Sequence, residues 1–244
     1  MEVHHHTHTA RKKWTNYLWE FLMLFLAVFC GFLAENQREH MIEERREKKY
    51  MQSMLEDLQK DTSEVNDEIQ FARSQLEITD TLMDMVDNRN LNQENIIRLY
   101  KLHFSQFLVG PYFEDRTSAQ LKNAGGMRLI QKKQVADSLS GYWHSIKICE
   151  TMTQLYEEYS KKTTDLSVRI FNHKYVTRKE IWEPPSAIKP QAKFISNEPA
   201  LLEEYSNRMY IKHNLLRMFI ERMEATNRYA TDLIAIIRKE YHLK

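Results

Sequence analysis

Residues 51–86 read MQSMLEDLQKDTSEVNDEIQFARSQLEITDTLMDMV. Within them Met51, Leu55, Leu58, Thr62, Val65, Ile69, Ala72, Leu76, Thr79, Met83 and Val86 recur at alternating steps of four and three. That spacing lines one face of a helix and predicts a heptad-like stripe packed against other helices. Ile78, Leu82 and Met85 widen the stripe toward its C-terminal end, which predicts contact with more than one helix there.

Two later segments carry the same pattern. Residues 131–175 are expected to form a long helix with Leu139, Tyr142, Trp143, Ile146, Cys149, Met152, Tyr156, Leu166 and Ile170 on its inner face. The aromatic side chains among these fall at helical spacing and read as core rather than as a ligand box. The last helix is expected after Asn197 as cap, with Pro199 in its first turn. Its stripe runs Tyr205, Met209, Lys212, Leu216, Phe219, Met223, Thr226, Ala230, Leu233, Ile237, Tyr241. Lys212 interrupts the apolar run and is expected to reach a carboxylate on a neighbouring helix. The five Gly and five Pro residues avoid all three stretches except for Gly141 and Pro199, as long helices require.

Between the stripes the chain is broken. Asp87 to Asn92 is rich in turn-forming Asn and Asp. A short helix around Ile96, Ile97, Leu99, Tyr100 and Phe104 follows, ended by Gly110-Pro111. Thr117 or Ser118 is expected to cap another short helix, closed by Gly125 in the left-handed conformation. Residues 176–197 hold Pro184, Pro185 and Pro190 and read as a crossover loop, with Trp182, Ile188, Phe194 and Ile195 as apolar contacts to the bundle. The simplest arrangement is antiparallel throughout. The short helices of 92–130 cap the far end, the second long helix returns, and residues near 76 lie beside the 131–145 turn.

Upstream, Phe21-Leu-Met-Leu-Phe-Leu-Ala-Val-Phe-Cys-Gly-Phe-Leu-Ala34 is apolar on every face, so it is not an ordinary amphipathic surface helix. Its 14 residues cover about 21 Å of a hydrocarbon core of about 30 Å; extension to Tyr17 adds a turn interrupted only by Glu20. Trp14, Tyr17 and Trp19 cluster at that end like an interfacial aromatic belt. A cleaved signal peptide would want small residues where Phe32-Leu33-Ala34 stand. A lipoprotein would want a small residue where Phe29 precedes Cys30. An uncleaved transmembrane helix over 14–35 is the expected reading. It follows a disordered His-rich and basic tail, residues 1–13, and precedes a helical bundle domain, residues 36–244. Arg11, Lys12 and Lys13 favour a cytoplasmic N-terminus, although Arg45, Arg46, Lys48 and Lys49 lie within counting range on the other side. The fold class expected is all-α: an N-terminal transmembrane helix continuing into an antiparallel bundle of three long helices with short capping helices.

The chain holds 35 basic and 34 acidic residues, net +1, so no strong field draws nucleic acid. Cys30 and Cys149 are the only cysteines, which excludes a disulfide framework and a Cys-based zinc site. None of His40, His103, His144, His173, His213 and His242 is preceded three positions earlier by Glu, as a bundle di-metal site would need. The chain contains no H-E-x-x-H, no phosphate-binding Gly-rich loop and no G-x-S-x-G elbow. Two weaker candidates remain. His4, His5, His6 and His8 are imidazoles that could hold a divalent metal loosely. Arg116, Gln120, Lys122, Asn123 and Arg128 form a polar patch near a Gly-Gly turn, suited either to a partner or small anion or to satisfying a helix corner. His144 and His213 are expected to be half-buried structural residues.

The segment Trp19–His40, together with the His tract, resembles a family of uncharacterised single-pass, membrane-anchored helical proteins of Gram-negative bacteria. Arg116-Thr-Ser-Ala-Gln-Leu-Lys-Asn-Ala-Gly-Gly-Met-Arg-Leu-Ile130 and the helix after it are similar to the same family. The resemblance implies a membrane-anchored helical protein of Gram-negative bacteria, with no activity and no catalytic residues; the location expected is the inner membrane. The function expected is a non-enzymatic membrane-anchored module for sensing, scaffolding or protein interaction, with the domain in the periplasm. Its partners would be the lipid bilayer and a protein or a second copy, with no nucleic acid and no cofactor. The alternative is a metal- or small-ligand-binding membrane protein using the N-terminal histidines or the bundle interior.

Overall fold

The computed structural model describes residues 14–107, 110–123, 125–180 and 183–243. His4, His5, His6, His8 and Trp182 lie outside the described residues. The described elements are α1 (Trp14–Asp87), α2 (Gln93–Phe104), α3 (Arg116–Asn123), a 3-10 turn (Gly126–Leu129), α4 (Lys133–Ser167), a second 3-10 turn (His173–Tyr175), β1 (Val176–Thr177), β2 (Ala187–Ile188) and α5 (Pro199–Tyr241). The fold is all-α; β1 and β2 are a two-residue antiparallel bridge pairing Val176 with Ile188 and Thr177 with Ala187. The chain divides after Lys49 into two compact units.

The first unit is the opening part of α1. Its large apolar side chains from Trp14 to Leu33 are exposed. Phe21, Phe25 and Phe29 stack along one face, with ring centroids 6.4 and 5.8 Å apart. Among the described residues this is the one helix long and apolar enough to cross a membrane, and none of its apolar window is buried.

The second unit is built by the three stripes. Met51, Leu55 and Leu58 pack with Val135, Leu139 and Tyr142 of α4 and with Leu233, Ile237 and Tyr241 of α5. Val65, Ile69 and Ala72 pack with Cys149, Tyr156, Leu216, Phe219 and Met223. Leu82, Met83 and Val86 pack with Leu166, Leu202, Tyr205 and Met209. Numbers rise together in α1 and α4 and fall in α5. Thus α1 and α4 run parallel, and α5 is antiparallel to both. Asp61 with Tyr142, Asn66 with Asn227, Asp80 with His213 and Cys149 with Thr226 fix the same directions by polar contact.

This corrects the expectation that every long helix reverses its predecessor. A parallel pair needs a crossover, and residues 88–132 supply it. Helix α2 stays at the Val86 end, where Leu99, Tyr100 and Phe104 are buried with Phe171 and Tyr205. The chain then returns along α1, and α3 and the Gly126–Leu129 turn close the Met51 end, with Leu121 and Ile130 in its core. Only α2 therefore caps the end where the stripe terminates. The 176–197 crossover lies at that same Val86 end, with Ile188 and Ala192 buried and Phe194 packed against them; Ile195, an expected contact, is exposed. Residues near 76 lie beside the middle of α4, not beside its start.

The returning strand is held by α1 itself. The Phe107 N–H donates to Gln75 Oε1, the Gly110 N–H to Glu68 Oε1, the Glu114 N–H to Asp61 Oδ1, and the Thr117 N–H to Asp57 Oδ2, at 2.8 to 3.2 Å. Gln106 reaches Thr79 Oγ1 at 3.3 Å. At about 100° per residue, positions 57, 61, 68, 75 and 79 fall within about 40° of one another around the helix. The roughly 22 residues of α1 between the end partners rise about 33 Å, which about eleven extended residues also span. A returning segment without a sheet partner leaves its amides unpaired, and three carboxylates and one side-chain amide on α1 accept those of Phe107, Gly110, Glu114 and Thr117.

Two caps differ from expectation. The first-turn amide of α3 at Thr117 is taken by Asp57 of α1, while the Thr117 hydroxyl itself has no partner. Helix α5 starts at Pro199 after Glu198, not after Asn197, and Glu198 makes no side-chain cap. Helix α4 ends at Ser167, short of the expected residue 175, because the chain turns there to bury Ile170, Phe171 and Tyr175.

Candidate functional site

The polar patch foreseen around the Gly-Gly turn is dispersed over α3 and the turn after it. Arg116 lies 2.7 Å from Asp57 Oδ1 and 3.6 Å from Glu56. The Lys122 ammonium sits 4.3 Å over the Trp143 ring. Gln120, Asn123 and Arg128 are exposed. Gly125 is left-handed at φ 66°, as the turn requires. The patch therefore spends Arg116 and Lys122 on holding the α3 corner against α1 and α4.

A more convergent arrangement lies farther along the bundle. Helix α5 places Lys212 inward at its stripe position, with its side chain buried. Among the described residues no carboxylate pairs with it. The Lys212 ammonium donates to Gln106 Oε1 at 3.3 Å and stands 5.4 Å from the Tyr156 ring centroid. Burial draws its pKa down to about 8. Gln106 passes the contact on through its Nε2 to Thr79, whose hydroxyl bonds back to the Gln75 carbonyl. Lys212, Gln106, Phe107, Tyr156 and Ser160 line a cleft of about 430 Å³, with Glu157, Lys161 and Asp165 of α4 also on its wall. Burial pushes Tyr156 up to about 12. The Ser160 hydroxyl is buried and makes no hydrogen bond of good geometry, although it lies near enough to Tyr156 to ease that phenol's burial.

One turn toward the N-terminus of α2 from Gln106, His103 stacks on Phe171 at 4.3 Å and shares a 2.8 Å hydrogen bond with the Tyr205 hydroxyl. Burial, with Lys212, His173 and Arg178 nearby, holds His103 neutral down to about pH 3. Burial also raises Tyr205 far above the ordinary phenol range. His213 pairs with Asp80 at 3.0 Å, in keeping with a structural role; His144 is exposed rather than half-buried. Among the described residues no group of three or more His, Cys, Asp and Glu side chains converges on a point.

The sequence singled out Lys212 only as an interruption. It gave no sign of Gln106, Phe107 or Ser160, which arrive from a returning strand and a second helix. A lysine inside a heptad stripe is the one signal that points to this place. The arrangement can hold a negative charge beside an apolar wall. Comparison of the chain with family models, with curated proteins and with solved structures finds no match.

Proposed function

We propose that the protein is a single-pass, membrane-anchored, non-enzymatic helical module for sensing, scaffolding or protein interaction. Its spanning segment is 14–35, in a bacterial inner membrane. The observation that carries this is the exposed apolar surface of α1 from Trp14 to Leu33, with 14 large apolar side chains open. At about 1.5 kcal/mol or more for each, leaving them in water would cost upwards of about 20 kcal/mol, whereas hydrocarbon removes that cost. Trp14, Tyr17 and Trp19 fit the headgroup level, and Arg11, Lys12 and Lys13 favour a cytoplasmic N-terminus with the second unit in the periplasm.

The test is fractionation. The full chain stays with membranes through alkaline carbonate extraction, and a chain lacking 14–35 is released. A C-terminal tag is cleaved by protease added to spheroplasts. Extraction of the full chain by carbonate would overturn the anchor; protection of the tag in intact spheroplasts and its cleavage only after lysis would reverse the orientation.

A second reading, ligand binding in the bundle interior, is favoured by one observation: a buried lysine, with no carboxylate paired to it among the described residues, lines an open cleft. Metal binding by His4, His5, His6 and His8 rests on residue type and spacing alone.

A further inference from the structure

We propose that the Lys212 cleft binds a small monocarboxylate with an apolar body, carboxylate on the Lys212 ammonium and body against Phe107 and Tyr156. This deepens the sensing reading by naming a ligand class, and it holds or fails independently of the anchor.

The argument starts from an incomplete ion. Lys212 is 8% exposed, yet among the described residues its contacts are a neutral amide oxygen and the face of a ring. A buried ammonium without a counter-ion carries a desolvation cost of several kcal/mol. Glu157 and Asp165 share the cleft wall, but the ammonium's hydrogen bond goes to Gln106 Oε1 and, among the described residues, to neither of them. The ammonium has three donors and Gln106 accepts one. Ser160 adds a buried hydroxyl beside the Tyr156 phenol. A carboxylate has two oxygens, enough to take the spare donors of both.

The remaining wall selects among anions. Phe107 and Tyr156 present rings, which favours an organic body over a bare inorganic ion. Glu157 and Asp165 outnumber Lys161 on the rest of the wall, so a second or third negative charge on the ligand meets repulsion. At about 430 Å³ the cleft lies at the smaller end of the range for small-molecule sites, about 300–1,000 Å³. The groups facing Lys212 come from three directions: Gln106 from the strand after α2, Tyr156 and Ser160 from α4, and Thr79 of α1 behind Gln106.

The experiment uses the full chain in non-ionic detergent micelles and follows its unfolding temperature against added benzoate, hexanoate, benzamide and inorganic phosphate. Benzoate and hexanoate are expected to raise it saturably, and benzamide and phosphate to leave it unchanged. Lys212→Met replaces a buried charge by a side chain of similar length, so the variant is expected to fold. It should weaken the carboxylate response about tenfold or more, the loss of a charge-assisted hydrogen bond. Lys161→Met should retain the response. The proposal is overturned if benzamide matches benzoate, if phosphate binds better than either carboxylate, if Lys212→Met responds like the parent chain, or if no carboxylate gives a saturable shift. Carbonate extraction reports on the anchor alone, so its failure and the failure of this site are distinguishable.

Discussion

The Tyr142 hydroxyl donates to Asp61 Oδ2 at 2.5 Å, joining two helices that run in the same direction. Both residues are only 2% exposed. Burial holds Asp61 above the ordinary carboxylate range and Tyr142 well above the phenol range. Tyr142→Phe leaves the Asp61 charge with the Glu114 amide as its donor among the described residues and is expected to cost about 1–3 kcal/mol at neutral pH. A protonated Asp61 has less need of the donor. The deficit should therefore shrink as pH falls through the raised Asp61 pKa. Urea unfolding of both chains at several pH values checks this; a pH-independent deficit would count against a charged Asp61.

Asp57 holds the α3 corner twice over, through the Arg116 guanidinium and the Thr117 amide. Asp57→Ala frees both and is expected to lose about 1–3 kcal/mol, the cost of a lost cap and a lost charge-assisted bond. Amide exchange should speed most at 114–123, because the strand and α3 lose their attachment first. Uniform acceleration over the whole second unit would instead mean that α3 opens only with global unfolding.

Gly110 has φ +81°, and a Cβ there would fall 2.8 Å from Thr153 Oγ1. Gly110→Ala is expected to destabilise by about 1–2 kcal/mol from the left-handed backbone alone, with the steric contact added. Thr153→Ala removes the contacting atoms, so the double variant should recover part of the loss, leaving the backbone share. Thermal unfolding of the two single variants and the double variant separates the two contributions.

His103 gives a pH dependence of known sign. Its folded pKa is drawn down to about 3 from an ordinary 6.5, so between those values the unfolded chain binds the proton and the folded chain does not. The stability is fully present above about pH 6.5 and is lost as pH falls, at up to about 1.4 kcal/mol per unit. Lys212 and Arg178 are the cations that, after burial, oppose protonation, with the His173 ring nearby. His103→Gln keeps an acceptor for Tyr205 and cannot titrate; its unfolding midpoint should change less between pH 6.5 and 5 than that of the parent chain.

Much of the fold was legible in the residues. The four-three spacing of Met51 to Val86 and Tyr205 to Tyr241 set two stripes, and nearly every position in them is buried. Turn chemistry marked the end of α1 at Asp87 and the left-handed Gly125. What spacing cannot carry is direction. A stripe packs equally well on a parallel or an antiparallel neighbour, so the simplest arrangement, reversal at every step, stood open to correction by the connection over 88–132. The cue that decides otherwise is Asp57, Asp61, Glu68 and Gln75, which in one dimension look like ordinary solvated polar residues. They are acceptors for a strand that begins about thirty residues or more later, and only the tertiary structure brings the donors to them.

The candidate site divides in the same way. The sequence alone determined an all-α chain, its three long stripes, an apolar N-terminal segment and one misplaced lysine, because periodicity and residue type are local properties. The tertiary structure decided that α1 and α4 are parallel, that Asp57 caps α3, and that Lys212 meets Gln106 and Tyr156 instead of a carboxylate. Those facts depend on which donors and acceptors converge after burial, and burial is a property of the whole packed unit rather than of any stretch within it.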